Sequence, residues 1–247
     1  MTGTTAVETM NKAQGQGEVL FAHEGSFIPV VGSNQRFQVR RIYCVGRNYA
    51  AHAREMGSDP TREAPFFFQK PTDAIQLVPE GVTIDHPYPP VTTNYHYEVE
   101  LVAALGKRGR DIQAANALDY VFGYAVGFDM TRRDLQRAMG DEKKPWEVGK
   151  AFDHAAVVSY LYPASKIGHP SKGAIWLKVN GAVKQQGTLD MQIWSLPEQI
   201  NYLSNLITLQ PGDLIFSGTP AGVGPIKAGE KLEGHVDGVG DLVVTYR

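Results

Sequence analysis

The sequence predicts a β-rich α+β fold with short helices, and three observations support this class. The chain has 247 residues, of which 26 are Gly and 15 are Pro, a turn content that favours sheets over a helical bundle. Its apolar runs are short, and several alternate with polar residues as half-buried strands do. The segment 175–185 is typical of a hairpin, because two strand-like runs flank the turn at Asn180 and Gly181.

The composition is that of an ordinary globular protein, with 43% hydrophobic and 20% charged residues. A formal net charge of −2 gives no strong positive field, so we expect no nucleic-acid partner. The single cysteine, Cys44, excludes an internal disulfide framework and a metal site made of several thiolates. No apolar run approaches the roughly 20 residues of a membrane span, and residues 1–17 lack the apolar core of a secretory signal. We therefore expect a cytoplasmic protein with no membrane partner.

The N-terminal part of the chain, residues 1–38, is expected to be an arm followed by a hairpin. Residues 1–17 are small and polar, as in a loosely attached arm. The apolar runs 19–22 and 27–31 predict two short strands that are joined at residues 24–26. Because no repeat or linker divides the remainder, residues 39–247 are predicted to form one domain.

Turn and cap signals divide this domain into short elements. The predicted strands are 42–45, 66–70, 82–84, 94–105, 121–128, 155–160, 214–216, 230–234 and 242–246, and the predicted helices are 50–56, 114–120 and 195–208. Strand 66–70 ends where it does because Pro71 cannot continue a central ladder. The last helix has Ser195 as its N-cap and Pro197 in its first turn, and its apolar stripe indicates packing on the core.

The strand 94–105 carries the first candidate site. Side chains alternate along a strand, so Glu98 and Glu100 face the same side with their Cα atoms roughly 6.5–7 Å apart. Neighbouring carboxylates repel each other, and each is costly to bury without a partner. One interpretation is a solvated face that bears both acids. The other is a divalent cation bound by both, and the apolar Val102 and Ala104 on the same face favour partial burial.

The predicted helix 50–56 carries His52 and Glu55 at positions i and i+3, so the two side chains share one face. A carboxylate beside an imidazole raises its basicity and fixes its tautomer, which suits a general base for water. The alternative is a surface pair of little energetic value.

Two further candidates lie at the ends of predicted strands. Lys70 ends an aromatic strand, where it either lines a site or extends over the surface. Asp129 follows the buried strand 121–128, and it is either a site residue or a turn or cap aspartate. Thr131 with Asp134 three positions later resembles a capping arrangement at the start of the next helix.

Two more segments have the small residues that let a ligand approach. Lys150 lies between Gly149 and Ala151, although a lysine in a turn is usually a surface residue. The Gly-rich loop 217–224 follows a buried strand, and its backbone N–H groups are suited to hold a carboxylate or an oxyanion. It is not a Walker loop, because no Gly-Lys-Ser/Thr follows.

Several motifs together resemble one known family, and their joint order is far more specific than any one of them. They are Gly46-Arg47-Asn48-Tyr49 with His52 and Glu55, Phe68-Gln69-Lys70-Pro71, Glu98-Val99-Glu100, Gly123-Tyr124, Asp129-Met130-Thr131 with Arg133 and Gln136, Gly149-Lys150-Ala151-Phe152, Trp176-Leu177-Lys178-Val179-Asn180-Gly181, and Gly218-Thr219-Pro220-Ala221-Gly222-Val223-Gly224. In this order they resemble the fumarylacetoacetate hydrolase superfamily, and within it the acylpyruvase and fumarylpyruvate hydrolase branch. The resemblance runs from about Val39 to the C-terminus.

The resemblance implies a mixed β-roll or β-sandwich, a homodimer and one Mg²⁺ or Mn²⁺ per subunit, with residues 39–247 as the catalytic domain. Carried over residue by residue, it implies Glu98, Glu100 and Asp129 as metal ligands, His52 and Glu55 as the catalytic dyad, Lys150 as a contact to the reacting oxygen, and Lys70, Arg133, Gln136 and Thr219 as substrate-binding residues. The far carboxylate of a fumarylpyruvate needs a cation, for which Arg47, Arg54 and Arg62 are the candidates.

The implied reaction is hydrolysis of a carbon–carbon bond in a 1,3-diketo acid, with fumarylpyruvate and water giving fumarate and pyruvate in gentisate-type aromatic catabolism. The alternatives on the same site are oxaloacetate decarboxylation and decarboxylation or isomerisation of a hydroxy-diene-dioate. A metal-dependent ligand-binding protein without turnover is the alternative from another functional class.

Overall fold

The computed structural model describes residues 20–22, 24–57 and 63–247. In chain order the strands are β1 (Phe27–Pro29), β2 (Arg36–Gln38), β3 (Arg41–Val45), β4 (Phe67–Lys70), β5 (Ile75–Leu77), β6 (Ile84–His86), β7 (Tyr95–Tyr97), β8 (Val99–Leu105), β9 (Val121–Asp129), β10 (Thr131–Arg132), β11 (Ala156–Val158), β12 (Tyr162–Pro163), β13 (Ala174–Val179), β14 (Ala182–Thr188), β15 (Asp213–Phe216), β16 (Gly224–Pro225), β17 (Lys231–Val236) and β18 (Gly240–Tyr246). The α-helices in these ranges are α1 (Ala50–Glu55), α2 (Arg133–Asp141), α3 (Glu147–Lys150), α4 (Ala164–Ile167) and α5 (Leu196–Leu206), and the 3₁₀ helices are Thr72–Ala74, Ala114–Tyr120 and Leu189–Met191.

Two sheets dominate the fold, which is β-rich as predicted. The larger one curls into a half-barrel, with the strand order β4-β3-β15-β8-β9-β11-β5 and with β12 paired to β9. The second has the order β14-β13-β17-β18-β6. It packs through β13, β17 and β18 onto β8 and β9, the central strands of the half-barrel. A short sheet of order β10-β7-β16 lies beside them, and no helix within the described ranges is both long and apolar enough for a membrane crossing.

Strand β8 shows why this architecture needs apolar residues on both faces. Val99, Leu101 and Ala103 belong to the large core between the two sheets. Val102 and Ala104 belong to a smaller core on the other face of the half-barrel. The alternation predicted for residues 97–104 is therefore confirmed, and the acids continue the face of the smaller core.

One of the two predicted strands of the N-terminal hairpin is confirmed, since β1 lies within residues 27–31, but its partner is β2 rather than residues 19–22. β1 pairs antiparallel with β2, so that Ile28 lies opposite Phe37, and residues 20–22 form no strand. The physical reason is burial: Ile28 and Phe37 pack into the smaller core, whereas Leu20 and Phe21 are 90% and 78% exposed. Val19 and the predicted arm, residues 1–17, lie outside the described residues.

Three other expectations need correction. The predicted strand 94–105 is two strands, because β7 pairs with β10 and β16 while β8 pairs within the half-barrel. The segment 114–120 is a 3₁₀ helix rather than an α-helix. The predicted cap is wrong: Thr131 lies in β10, and the Asp134 carboxylate instead accepts hydrogen bonds from Thr92 and Thr93, which tie the loop before β7 to α2.

Candidate active site

Three carboxylates meet where β8 begins and β9 ends. The two strands are antiparallel neighbours, and the Asp129 N–H donates to the Glu98 carbonyl at 2.9 Å. Oxygen atoms of Glu98, Glu100 and Asp129, called the acidic triad from here on, lie within 4.8 Å of one another. Glu98 is 4% and Glu100 is 2% exposed, so the interpretation of a solvated acidic face is wrong.

Three buried cations surround the acidic triad. Lys150 Nζ donates to Glu98 Oε2 at 2.9 Å, to Asp129 Oδ2 at 2.8 Å and to Thr131 Oγ1 at 2.7 Å. All three N–H groups of Lys150 are thereby used. Lys150 is buried at the end of α3, so it is not the surface residue of a turn that the sequence allowed. Arg133 pairs with Glu98 Oε1 from the first turn of α2.

Lys70 contacts the backbone and one carboxylate of this cluster. Its Nζ donates to the carbonyls of Lys150 at 2.6 Å and of Met130 at 3.1 Å, and it lies 2.7 Å from Asp129 Oδ1. At 3% exposure it is not a residue extended over the surface. Lys70 does not line the cavity beside the acidic triad. It instead holds the end of β9 and the backbone of Lys150 in place.

The charges are distributed unevenly within the acidic triad. Burial by itself would raise the pKa of Glu98, but the nearby Lys150 and Arg133 lower this pKa well below its usual range. For Glu100, burial and then the repulsion by Asp129 and Glu98 raise the pKa well above its usual range. Within the described part of the chain, Glu98 and Asp129 each form ion pairs, whereas Glu100 forms none.

The residues present fit a divalent cation. Three carboxylates are the hard oxygen donors that Mg²⁺ and Mn²⁺ prefer, and they leave about three of roughly six coordination positions for water and substrate. Asp129 Oδ1 is buried and forms no hydrogen bond, although Lys70 is close to it. The space between the lining side chains is about 20 Å³, which is enough for a water-sized occupant.

The predicted dyad lies at the rim of the same cavity. His52 on α1 is 5% exposed, and its Nδ1 lies 3.2 Å from Glu55 Oε2. Glu55 also accepts from the Gly222 N–H at 3.2 Å. Burial by itself would raise the pKa of Glu55, but the contacts with His52 and Gly222 lower it. Because Glu55 engages Nδ1, the other ring nitrogen of His52 remains available to the cavity that His52 lines.

The sequence analysis did not identify His96, which orients the arginine of the site. Arg133 Nε donates to His96 Nδ1 at 3.4 Å, and Arg133 Nη1 donates to Gln136 Oε1 at 2.5 Å. Burial and the neighbouring Arg133 lower the pKa of His96 to about 4, so it accepts this hydrogen bond as a neutral ring. The signal was present, because residues 96, 98 and 100 share one face by strand alternation.

The Gly-rich loop 217–224 holds carboxylates of the protein itself. The Gly218 N–H donates to Glu100 Oε2 at 2.7 Å, and Gly222 holds Glu55. The next residue, Thr219, lines the cavity, but its hydroxyl donates to the Val99 carbonyl at 2.8 Å and accepts from Gln185 Nε2 at 2.8 Å. The loop thus fixes the position of Glu100, a candidate metal ligand, relative to Glu55 of the dyad.

Two further residues act through long-range contacts that no local pattern predicted. Gln185 reaches from β14 of the second sheet, and its Oε1 accepts from the Val99 N–H at 3.0 Å. Asn48 donates to the carbonyls of Trp194 at 2.9 Å and Ser217 at 2.8 Å. These amides hold β8 and the Gly-rich loop in register with the turn before α1.

Comparison with known proteins shows the family of this chain. The family model of the fumarylacetoacetate (FAA) hydrolase C-terminal domain matches residues 41–246. Fumarylpyruvate hydrolase from Pseudomonas aeruginosa, solved in complex with Mn²⁺ and pyruvate, is 55% identical with a TM-score of 0.91, over 93% of this chain and 99% of that one. Mitochondrial oxaloacetate tautomerase FAHD1 from Mus musculus is 46% identical, over 81% of this chain and 88% of its own length. Mitochondrial oxaloacetate decarboxylase from Dictyostelium discoideum is 42% identical, over 81% of this chain and 90% of its own length.

The family match and the curled sheet thus define an enzyme of the fumarylacetoacetate hydrolase family, and its buried acidic triad is suited to a divalent cation. This chain belongs to that family, and within it to the acylpyruvase branch. Its activity is that of a hydrolase or of a related decarboxylase or isomerase.

Proposed function

We propose that this chain hydrolyses a carbon–carbon bond of an acylpyruvate, and that its substrate is fumarylpyruvate, which yields fumarate and pyruvate. One observation carries the proposal: a His–Glu pair suited to activate water lies beside a buried set of three carboxylates suited to hold a divalent cation. The similarity to a fumarylpyruvate hydrolase of 55% identity supports the choice of acyl group.

The metal ligands in this proposal are the acidic triad, and the ion is Mg²⁺ or Mn²⁺. When bound, the ion supplies positive charge that polarises the keto acid and stabilises an enolate leaving group. The support comes from the site itself, since oxygen atoms of the three buried carboxylates converge within 4.8 Å, and the pKa of Glu100 is raised by burial and by the other two acids. The similar fumarylpyruvate hydrolase binds Mn²⁺ together with pyruvate.

The side chains of the dyad and Lys150 have separate roles in the proposed reaction. His52 removes a proton from water through the ring nitrogen that Glu55 does not engage, and Glu55 holds the ring in that tautomer. Hydroxide then adds to the carbonyl carbon distal to the carboxylate, and the carbon–carbon bond breaks with its electron pair on the pyruvate fragment. The methylene carbon of that fragment takes the proton from His52, which gives pyruvate and restores the neutral ring. Lys150 donates a hydrogen bond to the oxygen that gains this charge, which requires that it exchange one of its three present acceptors.

The remaining predicted roles concern substrate binding. Arg133 and Gln136 are buried, joined to each other, and line the cavity, which suits them to orient the keto-acid end. Thr219 lines the cavity as well, while Lys70 is proposed to position the site from below. Direct contacts of Thr219 and Lys70 with substrate stay predictions.

A second candidate function is supported by the relatives. Oxaloacetate tautomerase and oxaloacetate decarboxylase at 46% and 42% identity favour oxaloacetate as a substrate on the same site, and decarboxylation or isomerisation of a hydroxy-diene-dioate belongs to the same chemistry. All of these substrates present a keto acid and form an enolate.

A substrate panel tests the proposal. Fumarylpyruvate, acetylpyruvate, oxaloacetate and fumarylacetoacetate are each incubated with the enzyme, with Mg²⁺, with Mn²⁺ and with EDTA. We expect loss of the 1,3-diketone absorbance of fumarylpyruvate, fastest of the four and abolished by EDTA. Release of CO₂ from oxaloacetate without diketone hydrolysis contradicts the proposal in favour of the second candidate.

Three wider statements complete the proposal and stay predictions: a homodimer, a cytoplasmic location with a role in aromatic catabolism, and a domain boundary near residue 39. Two of the relatives carry the word mitochondrial in their names, so the location needs a direct measurement. Light scattering of the purified protein tests the oligomeric state.

A further inference from the structure

One arginine at the cavity has a backbone conformation that few residues adopt. Arg47 has φ 55°, in the left-handed region, which costs a residue with a Cβ free energy and persists only where the surroundings impose it. The surroundings here are the fixed neighbours on both sides. Asn48 is held by Trp194 and Ser217, and the Gly46 N–H donates to the Phe66 carbonyl at 3.1 Å.

The preceding glycine brings an aromatic ring over this turn. A Cβ on Gly46 would lie 2.1 Å from Cζ of Phe66, so no other residue at position 46 is compatible with that ring position. Phe66 in turn meets Trp146 edge-on, with ring centroids 5.3 Å apart and an interplanar angle of 78°. The missing side chain at residue 46 thus allows two rings to form a wall beside Arg47.

The two rings hold the guanidinium of Arg47. Its Cζ lies 5.9 Å from the centroid of Phe66 and 5.7 Å from that of Trp146, within the range of cation–π attraction. Among residues 20–22, 24–57 and 63–247, no carboxylate forms an ion pair with it. Arg47 is exposed, and it lines the same cavity as the acidic triad. It is therefore a positioned cation without an anionic partner in this part of the chain.

Two other arginines near the site are less suited to receive an anion, and the third candidate, Arg62, lies outside the described residues. Arg133 already contacts Glu98, Gln136 and His96. Arg54 is exposed on α1 and does not line the cavity.

We propose that Arg47, held by Phe66 and Trp146, binds a second carboxylate at the far end of the substrate, and that it thereby makes the enzyme selective for keto diacids over keto monoacids. The proposal rests on the proposed function in one respect, that the keto-acid end binds at the acidic triad. It concerns a diacid of the length of fumarylpyruvate, whose second carboxylate lies five carbons from the keto carbon at the acidic triad, whereas that of oxaloacetate lies only two carbons away. A planar guanidinium binds a carboxylate through two parallel hydrogen bonds, so its orientation by two rings favours that geometry.

The test compares a diacid with a monoacid in Arg47→Gln and in the control Arg54→Gln. The measured quantity is kcat/KM for fumarylpyruvate, the diacid, and for acetylpyruvate, the monoacid. We expect the diacid-to-monoacid ratio to fall about 10- to 100-fold in Arg47→Gln, the loss of one charge-assisted contact, and to stay within about twofold of wild type in Arg54→Gln. Arg47→Lys should recover part of the ratio, because it keeps the charge but loses the fork. An unchanged ratio in Arg47→Gln overturns the proposal, and so does an equal fall in Arg54→Gln.

A binding experiment separates this proposal from the proposed function. Calorimetry with the Mn²⁺-loaded protein compares 2-oxoadipate with 2-oxohexanoate, two keto acids of the same chain length of which only the first is a diacid. We expect Arg47→Gln to weaken the binding of 2-oxoadipate at least tenfold more than that of 2-oxohexanoate, even if wild type hydrolyses no diketo acid. Equal affinities of wild type for the two ligands contradict the diacid selectivity, whatever the reaction is.

Discussion

Two of the polar clusters that the described residues bury differ in charge. At the site, the acidic triad meets the ammonium groups of Lys70 and Lys150 and the guanidinium of Arg133. The second cluster is neutral. His86 Nε2 lies 2.7 Å from the Tyr95 hydroxyl, and His86 Nδ1 contacts Gln76 Oε1.

The difference teaches which cluster serves stability and which serves a ligand. Both ring nitrogens of His86 have a partner, and its contact with Gln76 joins β6 of the second sheet to β5 of the half-barrel. Burial lowers the pKa of His86 to about 3, so the ring stays neutral in the fold. At the site, by contrast, Glu100 is buried beside two other acids that raise its pKa, and it forms no ion pair with any described residue. A buried charge of this kind lowers stability unless a cation joins it.

The largest expected effect comes from removing the base at the charged cluster. His52→Ala should lower kcat for fumarylpyruvate by about 10²–10⁴-fold, the usual contribution of a positioned general base. The affinity for Mn²⁺, measured by calorimetry, should stay near that of wild type, because His52 is not in the acidic triad. The control is the histidine of the neutral cluster: His86→Gln, assayed below its Tm, should retain the turnover. Full activity of His52→Ala contradicts the proposed dyad.

Glu100→Gln shows most directly whether Glu100 serves to bind a metal ion or to stabilise the fold. The amide keeps an acceptor for the Gly218 N–H but removes the charge that Glu98 and Asp129 repel. We expect Mn²⁺ affinity to fall at least about 10-fold, as for a lost metal ligand or its support. Without metal, the free energy of unfolding in urea should be equal to or above that of wild type at about pH 8. A variant that is destabilised by several kcal/mol in EDTA would show that Glu100 is a structural residue.

The neutral cluster should respond to pH rather than to metal. The ordinary pKa of histidine is 6.5 and that of His86 in the fold is about 3, so below 6.5 the unfolded chain binds a proton that the folded chain does not. Stability is then complete above pH 6.5 and is lost towards pH 3, by about 1.4 kcal/mol per pH unit. Between pH 6.5 and about pH 5, wild type should lose about 2 kcal/mol more than His86→Gln in urea unfolding with EDTA. Equal pH slopes in the two proteins would contradict a neutral, buried His86.

How much of this contrast the sequence predicts depends on the range of the contacts. Strand alternation places Glu98, Glu100 and His96 on the face of Val102. It does not predict the burial of both acids, because that burial depends on the cations Lys150 and Arg133, which come from later segments.

The errors have the same origin. The N-terminal hairpin was assigned to residues 19–31 because two apolar runs looked alike, whereas only Ile28 finds a place in the smaller core beside Phe37. Gln185 and Asn48 join segments that are 86 and 146 or more residues apart in the chain. The order of family motifs supplied what local patterns lack, since it links positions that meet only in the fold.

A third ionisable cluster, at the surface, sharpens the comparison with the smallest expected effect. His235 stacks on Trp176, and its ring nitrogens lie 2.7 Å from Asp241 Oδ1 and 2.9 Å from Asp237 Oδ1. Burial by itself would lower the pKa of His235, but the hydrogen bonds with Asp237 and Asp241 raise it.

The contribution of His235 to stability is therefore complete below the ordinary pKa of 6.5 and is lost as pH rises through the raised value, the opposite sign to His86. Solvent screens such a pair, so the change should be much smaller than that of His86. His235→Gln should flatten the fall of Tm between about pH 6 and pH 8 relative to wild type, and a larger slope in the variant would show that the carboxylates do not stabilise the charged ring.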